Sequence, residues 1–419
     1  MKCAMQQRIL STILHLTIAL TAVILLTALT ISPAQAQTET VLHNFTGGAD
    51  GGWPVAGITF DQQGRIYGTT NIGGSYGSGV VYRLVHEGQG WVLSPIYNFP
   101  DGDDSPYSTT FGPDGLLYGT TYMGGAEHWG TVFSLQPPAT ACKTVLCPWV
   151  ETVLYNFSDG ADGGFPEFGD LTFDQAGNIY GTTGAGGSLG NGVVFKLTRS
   201  GSGWTESVLW NFGTINNDGY SPISGVILDH AGNLYGTTSL GGSNGFGTVY
   251  ELSPTQSGWN ERILYSFTTN DNGFGAGGLI MDAHGDLFGI TGIAVQGSGG
   301  PGAAYELTPK NGSWSFTLLQ SFSGTPMGPE AAPTFDSQGN LYGPLPSGGS
   351  DQEGEIFKLT PSGNQWIYNS FYQFSGSDGQ APSGAVIFDA SGNMYGTSAF
   401  GGDPGCRDYG CGTVWEITP

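Results

Sequence analysis

Leu234-Tyr235-Gly236-Thr237-Thr238 is followed by the doublet Gly241-Gly242 and then by Gly247-Thr248-Val249-Tyr250-Glu251-Leu252. The same block recurs along the chain. Its aromatic position is filled by Tyr67, Tyr118, Tyr180, Tyr235, Phe288, Tyr342 and Tyr395, at spacings of 51, 62, 55, 53, 54 and 53 residues. Seven copies of one unit run from residue 39 to residue 418, and a repeat of this length outranks any count of domains taken from chain length.

One unit reads clearly around the quoted block. Pro222 to Asp229 is a short apolar run, and His230-Ala231-Gly232-Asn233 supplies a turn with Asp229 and Gly232 placed for local hydrogen bonding and positive φ. Leu234–Thr238 and Gly247–Leu252 read as the second and third strands. After Trp259, Arg262 to Phe267 reads as the fourth. Four short β-rich runs between turns predict a four-stranded antiparallel meander. Runs such as Glu151-Thr152-Val153-Leu154-Tyr155-Asn156-Phe157 are too apolar for a one-sided sheet, and stacked blades bury both faces.

The two ends decide the topology. The chain begins its repeats with a fourth-type strand, Glu39 to Phe45, and ends with a third-type strand, Gly412 to Thr418. The last unit lacks the strand that the first segment supplies. Pairing the two closes a ring and removes an exposed edge, whereas an open solenoid would need polar caps. The expectation is an all-β, seven-bladed propeller of 28 strands spanning residues 37–419, closed by the N-terminal strand. Near the end of each first strand stand Gly57, Ser108, Asp170, Gly225, Gly278, Ala332 and Ala385. All but Asp170 are small, as convergence of seven innermost strands requires, so Asp170 is expected to line a channel.

Glycine fills 73 of 419 positions but not every third one, which excludes a collagen helix. Eleven Lys and Arg against 34 Asp and Glu give a net charge of −23, which makes nucleic acid and anionic membrane surfaces poor partners, and neither is expected. Lys2, Arg8, an apolar run from Ile9 to Ile31 and the pattern Ala34-Gln35-Ala36 read as a signal peptide, residues 1–36, cleaved after Ala36. The run is also long enough to remain as an uncleaved membrane anchor. The expected product is extracellular or periplasmic, monomeric and free of the membrane. Its four remaining cysteines form two close pairs, Cys142 with Cys147 and Cys406 with Cys411, and an even count in an exported chain reads as disulfides; the competing reading is a metal site, but no histidine sits beside either pair.

The seven blocks resemble those of the choice-of-anchor tandem-repeat GloVer proteins, exported bacterial proteins with LYGTT–GG–GTVF units of this length. The resemblance covers nearly all of residues 37–419. It implies export, with attachment by varied C-terminal anchors, and this sequence shows no such anchor before Pro419. It brings no catalytic residues with it.

Candidate chemistry lies in the loops between blades: Asp50-Gly51-Gly52-Trp53-Pro54, Asp162-Gly163-Gly164-Phe165-Pro166, Asp218-Gly219-Tyr220-Ser221-Pro222 and Asp378-Gly379-Gln380-Ala381-Pro382, with Phe274 in a fifth. Aromatics stack on sugar faces and carboxylates accept sugar hydroxyls, so the ring as a set suits a glycan or an extracellular protein. Taken singly, each Asp-Gly is an ordinary turn former. Asp101 and Asp103 begin like a calcium loop, but Gly112 stands where the closing glutamate belongs. No cofactor is expected beyond that weak calcium signal. No GxSxG, HExxH or Walker motif occurs, and the five histidines beyond residue 36 occupy unrelated repeat positions. The expected function is non-enzymatic binding. The alternatives are a polysaccharide lyase or glycosidase using Asp170 or Glu167 at the channel, and a structural surface protein.

Overall fold

The computed structural model describes residues 37–100, 105–138, 149–166, 169–271, 275–292, 302–322, 331–403, 406 and 409–418. Residues 1–36, Asp101, Asp103, Cys142, Cys147, Glu167 and Phe274 lie outside them.

Seven antiparallel blade sheets follow one another in chain order, each running from an inner to an outer strand, and a small two-stranded sheet pairs Gly219–Tyr220 with Leu240–Gly241. Blade four is Ile227–Leu228, Leu234–Thr238, Thr248–Thr255 and Gly258–Ser266, paired in that order. In blade seven the outer place is taken by Thr38–Asn44, which pairs with Thr413–Thr418, and the Phe45 amide donates to Gly412 O at 3.0 Å. The ring closes as the two chain ends require.

The repeated block has a physical reason at each position. Leu234 is fully buried. The Tyr235 hydroxyl donates across the hairpin turn to Asp229 Oδ2 at 3.2 Å. Gly236 leaves room for the ring of Tyr250 on the third strand, whose Cζ would lie 2.5 Å from an added Cβ. The Thr237 hydroxyl donates to Gly277 O of the next blade at 3.0 Å, and the Thr238 hydroxyl accepts the Thr248 amide at 3.0 Å within its own blade. Thr182 and Thr397 make the same inter-blade bond, to Ser224 O and Ala56 O, both at 2.8 Å.

The hydrophobic clusters lie between blades. One joins Tyr180, Val194 and Phe212 of blade three to Leu234, Tyr250 and Leu252 of blade four, and another joins Leu42, Phe45 and Val414 to Ile66, Val80 and Leu84 across the closing seam. Burying such a side chain contributes about 1.5–3 kcal/mol, so each blade is stable only against its neighbours.

Two details differ from the sequence reading. The inner strands of five blades are only two residues long, for example Thr59–Phe60 and Thr172–Phe173. The fourth strand starts earlier, at Gly258 in blade four, so Trp259 lies in the strand and pairs with Pro254. The recurrent tryptophans pack on the preceding blade: Trp91 against Tyr395 at 6.4 Å, Trp149 against Tyr67 at 5.8 Å and Trp366 against Phe288 at 5.9 Å.

Candidate functional site

The loops between blades and the loops joining second to third strands share one face, because a meander of four strands returns the chain to the side it entered. Each loop aspartate there is held by its own surroundings. Asp162 accepts from the Tyr155 hydroxyl at 3.1 Å, the Ser158 amide at 3.0 Å and the Ser158 hydroxyl at 2.6 Å. Asp378 accepts from Tyr372 at 2.6 Å and the Ser375 amide at 2.8 Å. Asp50 accepts from His43 Nε2 and the Thr46 amide, both at 3.0 Å. Burial pushes the Asp50 carboxyl up, but the His43 and Thr46 hydrogen bonds outweigh it and hold the group below the usual carboxylate range. Asp218 is buried and takes the Gly213 amide at 2.7 Å. These carboxylates fasten the loops to the ends of the outer strands.

Three residues further along, the chain turns left-handed. Trp53, Phe165, Ser221 and Ala381 have φ of 58°, 56°, 57° and 54°. Each donates its amide to the second-to-third loop of the preceding blade: Trp53 to Cys411 O at 2.8 Å, Phe165 to Trp129 O at 2.9 Å, Ser221 to Asn191 O at 2.9 Å and Ala381 to Glu353 O at 2.8 Å. Strained backbone of about 1–3 kcal/mol is thus held by bonds between blades. Tyr220 stands one place before this position, and Ser221 is the residue equivalent to Trp53 and Phe165.

The aromatic content of the face exceeds what the loop motifs revealed. Phe165 stacks on Tyr122 at 4.7 Å and meets Trp129 edge-on at 4.8 Å, and Tyr107 adjoins Tyr122 at 5.8 Å. At the closing seam Trp53 meets Phe400 at 5.9 Å, and Phe400 meets Tyr409 at 6.5 Å. Tyr409 is 71% exposed, Tyr76 on the neighbouring blade 58% and Tyr220 37%. Tyr122 and Phe400 follow the repeated block at places where other copies carry smaller residues, a signal that an alignment of the seven copies contains. Cys406 and Cys411 are disulfide-bonded with Cα atoms 5.5 Å apart, which fixes the loop bearing Tyr409.

A cavity of about 150 Å³ lies where the inner strands converge, and Gly57, Ser108, Asp170, Gly225, Gly278, Ala332 and Ala385 all line it. A Cβ on Gly225 would collide with the backbone carbonyl of Asp170. Asp170 itself is exposed to the channel. Burial among the surrounding strands pushes its carboxyl up, against a hydrogen bond from Ser108, and its exposed surface limits that effect.

The sequence matches the model of the Gloeobacter/Verrucomicrobia repeat over residues 27–151, 146–300 and 292–419. No curated protein matches it. Among solved structures it is similar to a polysaccharide lyase of family PL25, an ulvan lyase (13% identity, 90% of this chain and 95% of that one, TM-score 0.54). It is also similar to the extracellular domain of a protein assigned as a one component system from B. thetaiotaomicron (12% identity, 90% and 40%, TM-score 0.52). A third is a protein assigned as a 6-phosphogluconolactonase from Bacteroides uniformis (14% identity, 76% and 84%, TM-score 0.51). Likeness at these identities is one of fold, and fold alone does not carry function.

Proposed function

The chain belongs to the Gloeobacter/Verrucomicrobia repeat family, and from that premise we propose that it is an exported, non-catalytic propeller that binds a glycan on its loop face. The observation that carries this reading is the aromatic row Trp53–Phe400–Tyr409, which ends in a tyrosine 71% exposed. Flat, partly wet rings with a polar tip suit the apolar faces of sugars. The net charge of −23 disfavours anionic polymers and leaves neutral or basic ones. Asp50, Asp162 and Asp378 serve in this reading by holding the loops that present the rings.

A catalytic reading would centre on Asp170. Glycoside hydrolysis uses two carboxyl groups roughly 5–9.5 Å apart, and Asp170 is the one titratable group among the described residues lining the cavity. Glu167, the second carboxylate that reading names, lies outside the described residues.

The test is retention of the protein on a panel of insoluble neutral, basic and acidic polysaccharides, with calcium and with chelator. Retention on a neutral or basic polymer supports the proposal. Failure on every polymer, or retention unchanged when Phe400 and Tyr409 are both replaced by alanine in a protein that still folds, overturns it.

A further inference from the structure

The seam between blades three and four holds a carboxyl pair that the binding reading does not use. Glu261 lies on the outer strand of blade four, six residues before the buried Phe267, and is itself only 8% exposed. Asp218, on the loop arriving from blade three, is 6% exposed. The two side chains lie within hydrogen-bonding reach of each other. Asp218 Oδ2 accepts the Gly213 and Thr214 amides at 2.7 and 3.1 Å. Asp218 Oδ1 and both oxygens of Glu261 meet no donor.

Among the described residues, no cation is paired with either carboxyl. Tyr250, on the third strand, is fully buried, its hydroxyl makes no hydrogen bond, and both carboxyl groups act on it. Arg262 follows Glu261 and so projects from the opposite face of the strand. There it lies 3.9 Å from Glu251 and donates to Gly312 O. Trp210 is next to last in the outer strand of blade three, the place from which Tyr155 and Tyr372 donate to Asp162 and Asp378, and its indole N–H makes no hydrogen bond. Blades two to three and six to seven repeat the arrangement with Glu206 beside Asp162 and Glu39 beside Asp378, but each of those aspartates has its tyrosine donor.

Two carboxyl groups this close and this buried cannot both be charged without a partner between them. We propose that Glu261 keeps its proton at neutral pH and donates it to Asp218, so that one shared proton locks blade four to the loop from blade three and its loss at alkaline pH unlocks that seam. Glu261 is the member that carries the proton because the backbone amides of Gly213 and Thr214 stabilise charge on Asp218. The three seams agree in order: burial and the neighbouring aspartate push Glu206 and Glu39 up to about 7, and Glu261 up to about 9.

A group raised in the folded state stabilises fully below its unfolded value near 4.5, and that stability is lost as pH rises towards the folded value. Between pH 7 and 9 the loss belongs mainly to Glu261. Thermal unfolding of the full chain is therefore measured at pH 7, 8 and 9 for the wild type and Glu261→Gln. The glutamine keeps a donor for Asp218 and does not titrate. The melting temperature of the wild type should fall by roughly 1–2 °C per pH unit more than that of the variant. Equal slopes overturn the proposal. Should Glu261→Gln fail to fold, Asp218→Asn supplies the donor from the other side and must flatten the slope equally. A rise in wild-type melting temperature on adding calcium at pH 8, absent in the variant, would make the occupant a cation and also overturn it.

Discussion

Asp286 faces Asp282 in the hairpin turn of blade five, with carboxyl oxygens within 4.8 Å of each other. In blades three, four, six and seven that place is held by Asn178, Asn233, Asn340 and Asn393. Their side-chain amides donate to the turn aspartate at 2.7, 2.9, 2.6 and 3.0 Å. Blade five has exchanged a donor for a second acceptor. It has also lost the tyrosine hydroxyl, since Phe288 stands where Tyr180, Tyr235, Tyr342 and Tyr395 donate. His284 Nδ1, 3.0 Å from Asp282 Oδ2, is the side-chain partner that remains.

Asp286→Asn should therefore stabilise the protein. It restores the side-chain bond and removes a like charge, a gain of about 0.5–1.5 kcal/mol for one hydrogen bond. Chemical unfolding at neutral pH measures it, and a midpoint at or below that of the wild type would refute the comparison between blades.

Phe45 carries the ring closure. It is fully buried in the seam between blades seven and one, and its amide holds Gly412. Phe45→Ala should cost about 3–5 kcal/mol. Removal of residues 37–45 should leave Thr413–Thr418 as an open edge and give an aggregating chain. A deletion that stays monomeric with unchanged thermal stability would contradict closure by the N-terminal strand.

Stability should peak in mildly acid solution. Asp61, Asp174, Asp229 and Asp336 are buried enough to be pushed up, but hydrogen bonds from their own turns and tyrosines hold them below the usual range. Their contribution is present above pH 3.8 and lost as pH falls through the folded values. Glu39 and Glu206, raised to about 7, act in the opposite sense and lose stability as pH climbs from 4.5 to 7. Melting temperatures across pH 2–8 should therefore be highest between about 4 and 5, where self-repulsion of the acidic chain is also small.

Reduction of Cys406–Cys411 should cost about 2 kcal/mol, the chain-entropy value for so short a loop. Cys411 O accepts the Trp53 amide, so the same treatment should speed hydrogen exchange at Trp53. If glycan binding depends on Tyr409, it should weaken in parallel.

The repeat alone determined the architecture. Seven Leu-Tyr-Gly-Thr-Thr blocks, an offset between the first and last strands, and small residues at Gly57, Gly225, Gly278 and Ala385 are local patterns with period two and period near 54, and each demands the same closed ring. Asp170 was legible for the same reason, as the one large member of a row of small residues. The left-handed backbone at Trp53 and Phe165 was not legible, because it is fixed by amides reaching the preceding blade. Nor was the pairing of Glu261 with Asp218, 43 positions apart in sequence. The rows Trp53–Phe400–Tyr409 and Tyr107–Tyr122–Phe165–Trp129 join different blades. Contacts within a blade follow the repeat and can be read along the chain. Contacts between blades depend on how stacked sheets align, and only the folded ring brings those residues together.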